Sequence, residues 1–457
     1  MTSNLVLDIV IIALKALFAL IIVVGMAPVL IVLERKLSAF IQDRPGPNRA
    51  HIGPFRLGGF VFVAADAVKL FTKESFTPAN ANKFYYNLAA GIAVTVALTT
   101  GAIVPFADTL KFGNVSIPMQ VLPINAGLLW FFAIASLGVY GLIFAGWASN
   151  CKYSLLGAVR SSAQLISYEI PMGLSVVGIL MLFQTLQLNS IVQQQAGNLS
   201  FFGLFPLGVN IPLASGAHIA LGIPNWGIFL QPLAFIIFLV ASYAETNRTP
   251  FDLAESESEL VAGFHTEYGG MKFGMFFFGE YMAMVVASSI MTSLFFGGWQ
   301  VPFFDTAALQ ALSLPLMRIG LGLVILLLAI MSVGLFRFYQ DNKGRFGDIR
   351  DSEGKVLGFI TSGLGVLVAI VLLLLFTVSS MPAWGSVAFA AFVQFIAFFI
   401  KMFLIASSFI WVRWTVPRFR YDQLMNLGWK SLLPLALANI FVTGIVVLLM
   451  NHARGGF

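Results

Sequence analysis

The chain has 457 residues, of which 59% are hydrophobic and only 10% charged, where a soluble domain carries about 25% charged residues. That excludes an ordinary soluble enzyme and implies one polytopic membrane domain over 1–457, an all-α bundle of about ten transmembrane helices plus an interfacial amphipathic helix. The net charge of +6 fits basic cytoplasmic loops better than a nucleic-acid partner, and the single cysteine, Cys151, excludes an internal disulfide or an iron–sulfur cluster held by this chain alone. No GxGxxG, Walker or HExxH motif is present, so nucleotide or metal chemistry must sit on another chain.

The first apolar run, 9–33, is too long for a cleaved signal and lacks a small-residue cleavage site. Lys15 within it is read as snorkelling to the interface. The run ends in Glu34-Arg35-Lys36, which reads equally as an interface anchor or as part of a site. Residues 39–56 follow, where Pro45, Gly46, Pro47, Gly53 and Pro54 prevent a regular element and Arg44, Arg49 and Arg56 add charge. The stretch 57–73 sets Asp66, Lys69 and Lys73 against Phe60, Val63, Val68 and Phe71, which predicts an interfacial helix. Further spans are predicted at about 84–106, 124–148, 164–183, 228–244, 273–296, 316–338, 356–378, 389–412 and 433–450. If the loop after the first span is cytoplasmic, the segments on that side hold 21 of the 26 Lys and Arg residues. The positive-inside rule then puts both termini in the periplasm.

The stretch 243–281 stands apart, with Glu245, Asp252, Glu255, Glu257, Glu259, Glu267 and Glu280 in an otherwise apolar setting. The loop 245–272 is acidic, with six acids against two bases. Thr249-Pro250 reads as the N-cap and first residue of a helix, with Asp252 in a weak capping box. On such a helix Asp252, Glu255 and Glu259 share one face and Glu257 points away. A solvated acidic helix is the plain alternative. Phe251, Leu253, Leu260, Val261 and Phe264 argue instead for a part-buried helix beside a polar cavity, whose clustered acids hold protons and can relay them. Tyr168-Glu169-Ile170-Pro171 puts another acid within a span, and Lys401 is the matching intramembrane base. Arg413, Arg418 and Arg420 fit positive-inside anchors or a site equally. The scattered His51, His218, His265 and His452 do not suggest a metal centre.

On the blocks ERK at 34–36, DRPGPNR at 43–49, SYEIP at 167–171, AETNRTPFDLAESESELVAGFHTEY at 244–268, FFFGEY at 276–281 and RWTVPRFRYDQLMNLGWKSLLPL at 413–435, the chain resembles the quinone-site membrane subunit family of respiratory complex I, NADH:quinone oxidoreductase. The resemblance covers the chain except for about 305–388, where two extra spans are inserted relative to the family's usual pattern. It implies a proton-translocating enzyme of the bacterial inner membrane, with ubiquinone or menaquinone as substrate and FMN and iron–sulfur clusters on partner subunits. Peripheral quinone-site subunits and adjacent small membrane subunits would be partners, besides lipid. By motif match, Glu34, Arg35, Phe277 and Arg413 would line the quinone path. Tyr168, Glu169, Glu245, Asp252, Glu255, Glu257, Glu259 and Glu280 would form the acidic connection into the membrane. Two other functions stay open: the related membrane subunit of a membrane-bound hydrogenase, against which the RPGPNR loop and the long acidic block argue, and a stand-alone cation/proton antiporter, which inverted repeats would support.

Overall fold

The computed structural model describes residues 5–113, 115–201, 205–206, 208–212, 218–344, 347 and 349–453, with backbone alone for 5–7, 200–201, 205–206, 257–258 and 453. In chain order its α-helices are α1 (Leu5–Ile41), α2 (Phe60–Thr72), α3 (Lys83–Gly101), α4 (Gly127–Ala148), α5 (Lys152–Phe183), α6 (Leu188–Gln194), α7 (Gly227–Leu230) and α8 (Pro232–Glu245). They continue with α9 (Glu257–Leu260), α10 (Gly270–Phe295), α11 (Thr306–Ala311), α12 (Ser313–Asn342), α13 (Glu353–Phe376), α14 (Ala383–Thr415), α15 (Tyr421–Asn426) and α16 (Leu433–Ala453). A π-helical turn, Leu427–Leu432, joins the last two.

A helix stands at each of the ten predicted spans. Eight helical stretches among the described residues are long and apolar enough to cross a membrane; the other two are α3 and α8. The 14 residues of α8 extend only about 21 Å at 1.5 Å per residue, less than the roughly 30 Å of a bilayer core. The predicted span 228–244 is in fact broken at Gln231-Pro232, because proline tolerates only the first turn of a helix. Three short antiparallel hairpins were not expected: Leu110–Phe112 with Val115–Ile117, Ser200–Phe201 with Phe205–Pro206, and Gly208–Pro212 with His218–Gly222, where Asn210 faces Ala220.

Helix α10 is the hub. Two thirds of its span (67%) is buried, against 6% and 0% for the α12 and α13 spans, which pack mainly on each other. Around α10 lie α1, α3, α14 and the amphipathic α2. Small residues permit the close approach: a side chain at Gly274 would meet Leu70 of α2, and one at Gly279 would meet Ala93 of α3. The continuous core includes Leu30 of α1, Met172 of α5, Phe238 of α8, Met284 of α10 and Phe409 of α14.

The loops gather at two opposite ends. At one end Arg56 meets Glu353, the Ser154 hydroxyl donates to the Phe264 carbonyl, and the Phe419 amide donates to Pro250. At the other, Lys15 donates to the Pro118 carbonyl and the Asp108 amide to Gln394. The predicted helix starting at Thr249-Pro250 does not form. Residues 246–256 are a packed turn segment, and helix resumes only in the four residues of α9. Tertiary packing overrides the local capping signal: Phe251, Leu253 and Ala254 are sunk in the core, and Asp252 is drawn to an arginine beyond α14. Asp252, Glu255 and Glu259 therefore do not share a helix face.

Gly263 locks this segment. Its φ is +60°, and a Cβ there would collide with the Ala254 carbonyl. Gly263→Ala should destabilise the protein by at least about 1–3 kcal/mol, the usual range for overpacking. A lowered melting temperature of the detergent-purified protein is the expected result, and an unchanged one would show that the segment can yield.

Candidate functional site

Helix α1 carries Glu34 to its C-terminal end, where only 7% of the residue remains exposed. An isolated carboxylate in such a place is costly, and three donors surround it. Arg413 Nη1 of α14 lies 2.6 Å from Oε1, Arg248 Nη1 lies 3.3 Å from Oε2, and the Tyr281 hydroxyl of α10 donates to Oε2 at 2.5 Å. The Arg248 guanidinium is itself 3% exposed and sits 4.2 Å from the centre of the Tyr281 ring, a cation–π contact. Its Nη2 lies 3.9 Å from the Glu280 carboxylate. One buried arginine thus stands between two acids on different helices. Phe277, one turn before Tyr281, packs edge-on against that ring at 5.0 Å. Arg35, the next residue after Glu34, turns the other way and pairs at 2.5 Å with Asp66 of α2, which ties the amphipathic helix to the first span.

Glu280 is shared between this cluster and a cavity of about 130 Å³ between α3, α4, α5 and α10. Glu169, Glu245 and Glu280 line it, with Thr246, Asn247 and Ser136 among its other polar groups. Consecutive helix positions point about 100° apart, so Glu169 faces the cavity while Tyr168 faces the other way and donates its hydroxyl to the Leu424 carbonyl at 2.8 Å. Glu245 Oε2 is buried without a hydrogen-bond partner in the protein, and its carboxyl lines the same largely apolar cavity as Glu169 and Glu280.

The loop adds a second row. Asp252 pairs with Arg418 at 2.8 Å, and Arg418 also donates to the Ser256 hydroxyl at 3.3 Å. Glu255 lies 3.8 Å from His265 and close enough to both Asp252 and Glu280 to act on each electrostatically, so Asp252, Glu255 and Glu280 run in sequence from the loop to the cavity. Glu259 is separate: more than half exposed, it pairs with Arg160 on the surface, an arrangement worth little energetically. The Glu257 side chain lies outside the described residues. Lys401 is also apart, in the opposite half of the bundle. It donates to the Phe296, Gly298 and Gln300 carbonyls at 2.6–3.1 Å and sits 4.4 Å from the Trp226 ring centre. All three ammonium donors are thereby satisfied at the C-terminal end of α10.

Sequence reasoning left Arg248 and Tyr281 out of the candidate set. The signal for Arg248 was present: it is the one base between Glu245 and Asp252. Tyr281 gave no signal beyond its place beside Glu280.

The fold and site define a polytopic helical membrane protein with a buried ion cluster joined to an acid-lined cavity. The NADH dehydrogenase family model matches residues 14–346 and 356–444, leaving out the two ends and residues 347–355, the turn between α12 and α13 with the first three residues of α13. An NADH-quinone oxidoreductase subunit of Cytophaga hutchinsonii is 38% identical over 416 residues, 91% of this chain and 90% of that protein. Its counterpart in Bdellovibrio bacteriovorus is 38% identical over 444 residues, 95% of each. NADH-quinone oxidoreductase subunit 8 of Rhodothermus marinus is 38% identical over 425 residues, 93% of this chain and 94% of that one. The chain belongs to this family of NADH-quinone oxidoreductase membrane subunits.

Asp252 lies outside the spans and has a definite acid–base character. Burial raises its pKa to about 7, helped by Glu255 and opposed by Arg418, Arg413 and Arg248. Its Oδ1 is buried and has no partner, whereas Oδ2 holds Arg418. The folded state therefore binds this proton more tightly than the unfolded chain, whose Asp titrates near about 3.9. The stabilisation is present below that value and is lost as pH rises towards about 7. Relative to Asp252→Asn, wild-type thermal stability should decline across that window and level off above it. Melting curves of both proteins over this pH range, with infrared spectra of the protonated carboxyl band, test this; parallel curves would show that Asp252 titrates as an ordinary acid.

Proposed function

We propose that this chain is the membrane subunit of a proton-translocating NADH:quinone oxidoreductase in which it forms the quinone entrance and tunnel and couples quinone reduction to proton movement. The observation that carries this reading is Arg248, buried between Glu34 and Glu280. Glu34, Arg413 and Phe277 stand on the quinone side of that arginine, and Glu280, Glu245 and Glu169 on the cavity side. Arg35 acts less directly, holding α2 against α1 through Asp66. A quinone has a polar head and a long apolar tail, so it needs a passage that opens sideways into lipid, and an amphipathic helix beside a span supplies one.

The chemistry follows from charge. Reducing a quinone to quinol takes two electrons and two protons, and negative charge develops on the head before the protons arrive. Beside Arg413 that charge competes with Glu34 for the guanidinium. Glu34 then draws more strongly on Arg248, and the proton balance of Glu280 shifts in response. Moving one charge against 100 mV requires about 2.3 kcal/mol, while each unit of pKa change represents about 1.4 kcal/mol. A change of roughly two units in a carboxyl of this row matches that requirement.

In this reading the electrons come from iron–sulfur clusters and FMN on partner subunits, the substrate is ubiquinone or menaquinone, and the protein lies in a bacterial inner membrane. The loops that meet around Arg56, Arg248 and Arg418 are cytoplasmic and both termini periplasmic, as the charge bias favours. The α12–α13 pair within 305–388 is an accessory unit on the bundle's edge, in keeping with its slight burial.

Glu280→Gln in the assembled complex, reconstituted in proteoliposomes, tests the coupling. Quinone-dependent NADH oxidation and proton uptake should both fall by about 10²-fold, the scale of a lost proton-transfer group. NADH oxidation by a water-soluble artificial acceptor should be unchanged, which shows that the complex has assembled. Wild-type turnover with wild-type proton uptake would remove Glu280 from the coupling path.

A further inference from the structure

The peripheral helix pair is tied to the rest of the molecule at one unusual point. Glu353, the first residue of α13, accepts three hydrogen bonds from a segment 297 residues earlier in the chain: the Arg56 amide at 2.7 Å, the Leu57 amide at 2.8 Å and the Arg56 side-chain Nε at 2.6 Å. Both side chains of the ion pair are only 8% exposed. The Arg56 guanidinium also lies 5.8 Å from the centre of the Phe338 ring on α12, so both helices of the pair contribute. Oε1 thus accepts from two backbone amides while Oε2 pairs with the buried Arg56 guanidinium, a set of charge-assisted bonds.

The backbone it holds is the turn that launches α2. Leu57, Gly58 and Gly59 have φ of +47°, +61° and +109°, three consecutive residues in the left-handed region. Glycine adopts this freely, but Leu57 does not and needs surrounding contacts to stay there. Its amide is one of the two that Glu353 binds. Downstream, α2 is fixed to the bundle by the Arg35–Asp66 pair and by Leu70 against Gly274 of α10. Glu353 is thus the anchor at the start of α2, and Asp66 and Leu70 are anchors along its length.

We infer that Glu353 is a positioning residue for the quinone passage: through Arg56 and the Leu57 amide it fixes the start of α2, and with it how α2 lies against α1. This rests on the reading of the α1–α2 side as the place where the isoprenoid tail enters. The helix pair then serves as a brace, because the hairpin is internally rigid. Gly354 and Gly358 of α13 allow close approach to Leu335 and Phe336 of α12, and the Ser332 and Ser362 hydroxyls meet at 2.6 Å across the pair.

The test uses the assembled complex carrying Glu353→Gln or Glu353→Ala, with Arg56→Lys supplying the same measurements should the first two fail to assemble. Amide hydrogen exchange over 57–72 is measured alongside steady-state kinetics with quinones that share a head group but differ in tail length. Faster exchange is expected at 57–72, with the KM for the long-tailed quinone raised about fivefold, the low end of coupling between separated positions. The KM for the short-tailed analogue and both kcat values should hold, and the effect of Ala should exceed that of Gln, which keeps an acceptor for the amides. Unchanged exchange would overturn the anchor itself. Faster exchange with both KM values unchanged would leave the anchor but overturn the entrance reading beneath it. An equal fall in kcat for both quinones would mean general damage and would also defeat the proposal.

Discussion

The arrangement depends on keeping one guanidinium charged where almost no water reaches it. Arg248 is 3% exposed, and a buried cation persists only when carboxylates and an aromatic face replace its hydration. Glu34 comes from α1, Glu280 and Tyr281 from α10, and Arg413, which completes the coordination of Glu34, from α14. Removing a single partner from such a buried pair costs about 3–5 kcal/mol, so these helices are held in one relation at that depth. The Arg248 Nε and Nη2 atoms have no hydrogen-bond partner.

Not every charge in the bundle is of this kind. Lys401 shows the opposite solution, with three backbone carbonyls and an indole ring enclosing the ammonium group. Those contacts close the end of α10 and hold the turn that follows. Arg35 and Asp66 lie at the surface and align α2, and Glu259 with Arg160 forms a solvated pair. Glu34, Arg248, Glu255, Glu280, Glu245 and Glu169 differ because each is adjacent to another or to the shared cavity.

The peripheral α12–α13 pair gives the same region a mechanical dimension. Its spans face outward almost entirely, yet its first buried acid reaches the turn before α2. Elements on the edge of a membrane bundle gain little from burying apolar surface, since lipid is equally apolar. Polar anchors such as Glu353 and Arg56 therefore carry much of the specificity of their placement.

Composition and hydropathy determined the class of protein, the number and order of the main helices, and the segment where chemistry concentrates, because a bilayer demands long apolar helices and penalises each acid within them. The candidate set of acids was legible for the same reason. Tertiary structure alone decided which acids meet. The acidic segment reads locally as a capped helix, but the core around Phe251 and Leu253 and the arginine Arg418 pull it into a turn. Tyr281 became visible only when α1, α10 and α14 converged on Glu34, and Arg248, though marked in the sequence as the one base between Glu245 and Asp252, found its partners only there. Charge pairing across helices hundreds of residues apart leaves no periodic trace along a chain, whereas burial in lipid marks every turn.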